Sequence, residues 1–174
     1  MTDPINAAGL ALIKSFESFV PFVYDDLTVD HPFVWKDGRK YGYRPWDGGS
    51  HKGTLTVGYG HTNDAADPLK CTFGTTVTEP QASAILAADL LPCAADVDHL
   101  VKVPLNENQR AALISFEFNT GALGQSSALL FLNKAQYAAV PARLALYNHA
   151  GGKVLAGLTK RRQAEIDLWN TKVP

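Results

Sequence analysis

Cysteine is scarce in this chain. Cys71 and Cys93 are the only two. With few histidines near them they do not make a zinc site. Two readings stay open: a bridge, closing a loop worth roughly 3 kcal/mol, or two buried thiols. No apolar run is long enough to span a bilayer, which speaks against membrane insertion. Internal repeats and low-complexity tracts are missing. So is a basic excess: sixteen Lys and Arg stand against seventeen Asp and Glu, a formal net charge of −1. A nucleic-acid coat is therefore excluded for the molecule as a whole. The cations that cluster do so twice, at Lys36, Arg39, Lys40, Arg44 and Lys52, and at Lys160, Arg161 and Arg162. Each cluster reads equally as a solvated face.

Several reaction motifs are missing too. Gly58-Tyr59-Gly60 has Asn63 where a dinucleotide fingerprint needs its third glycine. Gly124-Gln125-Ser126-Ser127-Ala128 lacks the last glycine of a nucleophile elbow. No His-Glu-x-x-His occurs, and the five histidines are scattered. Neither a metal nor a cofactor is expected.

What remains is an ordinary globular composition, 46% apolar over 174 residues. That suits one domain, or two small lobes sharing a core. Asn6 is a good N-cap, Ile5 and Leu10 form a hydrophobic staple, and Leu10, Ile13 and Phe16 continue an apolar stripe. The stripe fades at Ser18 and Pro21 blocks continuation, so a first helix is expected within residues 1–20, with Glu17 in its last turn. Residues 21–62 are rich in Tyr, Val, Trp, Thr and Gly, and Thr54 to Tyr59 alternate as a strand does. A small antiparallel sheet is expected there. Residues 63–174 read as helical. Capping boxes begin at Thr78 and Asn106, and further helices fit about 126–132, 135–148 and 159–169, the last capped by Thr159. The fold class is α+β, with a cleft expected where sheet and helices meet.

Carboxylates carry the candidate chemistry. Glu17 is flanked by Phe16 and Phe19, and desolvation there favours a protonated acid. A surface glutamate at a fraying helix end fits as well. Asp25 or Asp26, at the start of the sheet, can face it, as glycoside hydrolysis needs two carboxyl groups in different protonation states. A pair of turn aspartates is the plainer alternative. Thr56 can position a water, although threonine is at home on any strand. His61 is read as structural.

These pieces together resemble the phage-type lysozymes, the muramidase and endolysin family. Its pattern is Glu-x8-Asp-x5-Thr followed by Gly-x-Gly-His. Glu17 is followed by eight residues and then Asp26, in the context Tyr24-Asp25-Asp26. Thr56-Val57-Gly58-Tyr59-Gly60-His61-Thr62 is similar to the family's Thr-Ile-Gly-Tyr-Gly-His-Thr. Leu105 to Gly121 resembles the family's central helix, and Gly151 to Arg162 with Glu165 its C-terminal signature.

The resemblance implies a lysozyme-like fold and hydrolysis of the β-1,4 bond between N-acetylmuramic acid and N-acetylglucosamine in bacterial peptidoglycan. It makes Glu17 the general acid, with Asp26 and Thr56 activating a water for inversion, at a carboxyl separation of roughly 6.5–9.5 Å. Tyr59, Phe116, Glu117 and Asn119 are expected to line the substrate. Arg161 matches the arginine that approaches the acid; its charge opposes desolvation, leaving the direction of any Glu17 pKa shift open. A lytic transglycosylase using Glu17 alone, and a non-catalytic wall-binding module, are the alternatives. The N-terminus lacks a basic n-region. Synthesis in the cytoplasm as a monomer, with release to the periplasmic wall by a holin or another export route, is therefore expected. One departure stands out: twenty-nine residues separate Asp26 from Thr56, where the family usually has five. This insertion, at about 27–55, holds Trp35, Tyr41, Tyr43 and Trp46 among cations. Sugar contacts and a self-packed hairpin are equal readings of it.

Overall fold

The computed structural model describes residues 4–28 and 33–173, so 29–32 of the insertion lie outside the described residues. The chain forms two compact units. One is Glu17–Asp89; the other joins the residues up to Phe16 to those from Leu90 onward.

The second unit is helical. Helix α1 (Ala7–Phe16) starts where expected, because the Asn6 side chain accepts the Gly9 N–H at 2.9 Å. It ends at Phe16, so Glu17 is the first residue beyond it rather than part of its last turn. Helices α3 (Leu91–Leu100) and α4 (Glu107–Thr120) follow, α4 with a complete Asn106–Gln109 capping box. Ala111 to Phe116 are all buried, which makes α4 the centre of this unit, against α1, α3 and α7 (Ala156–Asn170). Helix α5 (Ser127–Leu132) is capped by Ser126. The single helix expected over 135–148 does not form. Ala135 takes a left-handed φ of 58°, residues 137–139 make one 3-10 turn, and only α6 (Val140–Leu144) is α-helical. The last helix also starts earlier than expected, at Ala156. Thr159 is no cap: its hydroxyl donates back to the Leu155 carbonyl at 3.1 Å, from inside the helix.

The first unit is a three-stranded antiparallel sheet in the order β1 (Val20–Asp25), β4 (Leu55–Gly58), β5 (His61–Thr62). Tyr24 pairs with Thr56, and Thr56 with Thr62, so Thr56 sits at the centre. The inserted segment adds a hairpin of β2 (Phe33–Val34) and β3 (Lys40–Tyr41). Its aromatics pack inward. Trp35 and Tyr41 lie 4.6 and 5.4 Å from the Phe22 ring, and Tyr43 stacks on Tyr24 at 4.1 Å. For these residues the self-packed reading of the insertion holds.

Helix α2 (Glu79–Asp89) belongs with the sheet, which extends this unit beyond the expected boundary at residue 62. Side-chain ties across residues 61–89 explain it. The buried His61 ring places Nδ1 2.8 Å from Asp89 and Nε2 3.0 Å from the Leu69 carbonyl. The Asp67 N–H donates to Asp89 and the Cys71 N–H to Asn63. Both cysteines are free thiols, pushed up to about 11 by burial. Among the described residues no helix is long and apolar enough to cross a membrane.

Candidate active site

Glu17 is half-buried at the point where the chain leaves α1 and enters the sheet unit. Its carboxylate lies against the Tyr59-Gly60 turn. A Cβ on Gly60 would stand 3.8 Å from Glu17 Oε2, and the Gly60 φ of +86° is one that side-chain-bearing residues rarely adopt. The turn thus approaches the carboxylate with backbone alone.

The two neighbouring aspartates have different work. Asp25 is buried, and its carboxylate accepts four hydrogen bonds: from the Lys52 and Gly53 N–H groups at 2.8 Å, Leu27 N–H at 3.1 Å and the Thr28 hydroxyl at 2.9 Å. Led by the Lys52 N–H, these donors hold it down at about 2. Asp25 is a clasp that closes the insertion onto the end of β1. Asp26, in contrast, is exposed. Its Oδ1 accepts the Thr54 N–H at 2.7 Å, and its own N–H donates to the Thr54 carbonyl at 3.2 Å. One carboxylate oxygen is thereby oriented while the group faces solvent. Gly53 makes this possible, since a Cβ there would meet Asp26 Oδ1 at 2.0 Å and Asp25 Oδ1 at 2.7 Å.

Thr56 is buried, and its hydroxyl donates to the Thr54 carbonyl at 3.1 Å. The oxygen keeps lone pairs with which to accept. Tyr24 pairs with Thr56, and Asp26 with Thr54, so Tyr24, Asp26, Thr54 and Thr56 project from one face of the sheet. The Tyr24 phenol is raised first by burial, then by the charges of Tyr43, Asp26 and Glu17. Tyr24 and Gly53 were not singled out from sequence as site residues. Only the Tyr24-Asp25-Asp26 context hinted at the former; the latter is one glycine among fourteen.

The other expected contact residues also hold partners within the protein. Tyr59 is buried against Phe19 at 5.5 Å and donates its hydroxyl to Glu79 at 2.9 Å. Phe116 is 0% exposed, in the helical core, with Tyr147 edge-on at 4.9 Å and the Arg162 guanidinium over its ring at 5.0 Å. A residue so enclosed does not line a substrate, which corrects that expectation. Glu117 is partly exposed, and its carboxylate accepts the Leu123 N–H at 2.7 Å. Asn119 is exposed and accepts from Arg162 at 2.8 Å. Arg161 is buried, 5.6 Å above the ring of Phe16 and 3.5 Å from Glu165.

Arg162 and Glu165 complete a buried cluster. They lie 2.9 Å apart, and Ser115 donates to Glu165 at 2.8 Å. Burial raises the Glu165 carboxyl and lowers the Arg162 guanidinium, each shift opposed by the partner's charge. From sequence a solvated face is only one of two equal readings of Lys160, Arg161 and Arg162; the burial of Arg161 and Arg162 with Glu165 decides against it for these two arginines.

Known proteins match this chain along its length. The phage lysozyme family profile matches residues 41–165. The chain is 31% identical to the endolysin of Bacillus phage PZA over 98% of its own length, and spans 56% of that relative. It therefore covers about half the length of such relatives. Two solved structures are similar. The muramidase domain of SpmX from Asticaccaulis excentricus is 32% identical with a TM-score of 0.71, covering 97% of this chain and 98% of that one. A mutant of P22 lysozyme is 28% identical with a TM-score of 0.74, covering 96% and 98%. By sequence and by fold, this chain belongs to the phage lysozyme family.

Proposed function

We propose that the chain is an endolysin-type muramidase. It hydrolyses the β-1,4 bond between N-acetylmuramic acid and N-acetylglucosamine in bacterial peptidoglycan, with inversion. Glu17 gives its proton to the glycosidic oxygen as the bond to the anomeric carbon breaks. A water attacks that carbon from the opposite face of the ring. Asp26 takes a proton from this water through the oxygen that Thr54 does not hold. Thr56, its hydroxyl hydrogen engaged by the Thr54 carbonyl, accepts the water's other hydrogen and aims its lone pair. The enzyme works as a monomer and reaches the periplasmic wall through a holin or another export route.

The observation that carries this reading is the shared sheet face of Asp26 and Thr56, with the Glu17 carboxylate against the Gly60 turn that joins β4 to β5 of the same sheet. The relatives' names, endolysin, muramidase and lysozyme, support the substrate class.

Glu17→Gln is the direct test. Clearing of purified sacculi should fall by at least about a thousandfold, with the unfolding transition unmoved. Retained clearing sinks the assignment. Mass spectrometry of the wild-type products checks the step after bond cleavage. Hydrated reducing ends support the water-activating pair; 1,6-anhydro ends point to a transglycosylase without it.

A further inference from the structure

The insertion differs in charge from the rest of the chain. Residues 27–55 hold five Lys and Arg against three Asp, a local charge of +2 in a chain of −1. Two of these cations, Arg39 and Lys40, line a pocket of about 400 Å³ together with Ser18, Phe19, Tyr41 and Tyr43. Neither Asp26 nor Thr56 takes part in it, so it is distinct from the water-activating pair. Ser18 of its lining is the residue after the candidate acid, and Tyr43 of its lining stacks on Tyr24.

The walls are anchored and the rim is adjustable. Tyr41 is buried and donates its hydroxyl to Asp37 at 2.7 Å, while Phe19 rests on Tyr59. Arg39 is 63% exposed and reaches Glu79 only at 3.9 Å. An exposed pair at that length contributes little. The guanidinium can therefore take an incoming carboxylate, with which it makes a charge-assisted and bidentate contact, at small cost. A bare sugar ring is a poorer match, as Tyr41 is already packed edge-to-face on Phe22 and Tyr43 face-to-face on Tyr24.

We propose that this pocket binds the carboxylate-bearing lactyl-peptide substituent of the glycan, with Arg39 and Lys40 as its anion-recognising residues. The inference rests on the muramidase reading and narrows it: the preferred substrate is glycan that still carries its peptides. Aromatic walls accommodate the short apolar side chains of such a peptide, and the cations meet its carboxylates.

The test compares two substrates, glycan chains with peptides intact and the same chains stripped by an amidase and then methyl-esterified at the lactyl carboxylates that the amidase frees. For R39Q/K40Q, the ratio of KM on intact glycan to KM on stripped glycan should rise about five- to tenfold. The charge-conserving R39K/K40R should recover much of that, and the charge-matched K36Q/K52Q, outside the pocket, should keep the wild-type ratio. An unmoved ratio in R39Q/K40Q overturns the proposal. So does an equal shift in K36Q/K52Q, which would mean diffuse attraction to an anionic wall. If the wild-type chain cleaves neither glycan, the muramidase reading fails instead. The pocket is then judged by calorimetric titration with muramyl dipeptide. Binding lost in R39Q/K40Q supports it, and no binding or unaltered binding overturns it.

Discussion

In the unit Glu17–Asp89 the carboxylates at the end of β1 are steered by backbone N–H groups, and Asp26 stays in contact with water. In the helical unit Arg161, Arg162 and Glu165 are shut away from water and are paired with each other and with Ser115 and Asn119. The difference separates two uses of charge. An oriented, solvated carboxylate can exchange a proton with a substrate. A buried ion cluster can only hold its helix, since removing one partner strands the others in a medium of low dielectric. By this criterion Asp26 suits the chemical role proposed for it and Glu165 a structural one, although both belong to family signatures.

The comparison can be broken at its strongest point first. Glu165→Gln removes a carboxylate that faces two buried guanidiniums. It should cost about 3–5 kcal/mol of stability, read as a drop in the urea midpoint. A loss below about 1 kcal/mol would mean that the cluster is not what holds α7 to α4.

Gly53→Ala should lower activity beyond the stability that it costs by crowding the Asp25 clasp. The new methyl collides with Asp26 Oδ1 and must push the carboxylate aside by about an ångström. Misplacement on that scale costs on the order of a hundredfold in rate. Clearing assays beside thermal unfolding check this; wild-type clearing would remove Asp26 from the mechanism.

The smallest effect is a pH dependence. The folded Asp25 carboxyl lies at about 2, below its ordinary 3.8. Its stabilisation is therefore complete above about 4, fades as pH falls from there toward 2, and is gone below that. The stability gap between wild type and Asp25→Asn should narrow over that window in unfolding curves taken from pH 5 to pH 2. A gap of constant width would show that the clasp does not titrate.

Much of this was legible from local spacing. The caps at Asn6, Thr78 and Asn106 each use a side chain that reaches a backbone group three residues away, and each forms as read. Thr159 shows where such reading fails. The same hydroxyl that caps a helix start can bond backward inside a helix, and what extends α7 to Ala156 lies outside that window. Phe116 shows a second failure. A motif places it on the family's central helix, but only packing decides which side of that helix meets the core.

The sequence by itself determined the helix starts at Asn6, Thr78 and Asn106, the central strand at Thr56 and the candidate acid with its spacing to Asp26, because these depend on contacts within a turn or on periodicity along one element. Tertiary structure alone decided which aspartate became the clasp. Asp25 meets Lys52 and Gly53 from 27 and 28 residues away, and Asp26 meets Thr54 from 28. Closing a loop of that length costs an entropy that no local pattern reveals. It is recovered only when the buried carboxylate finds its four donors together.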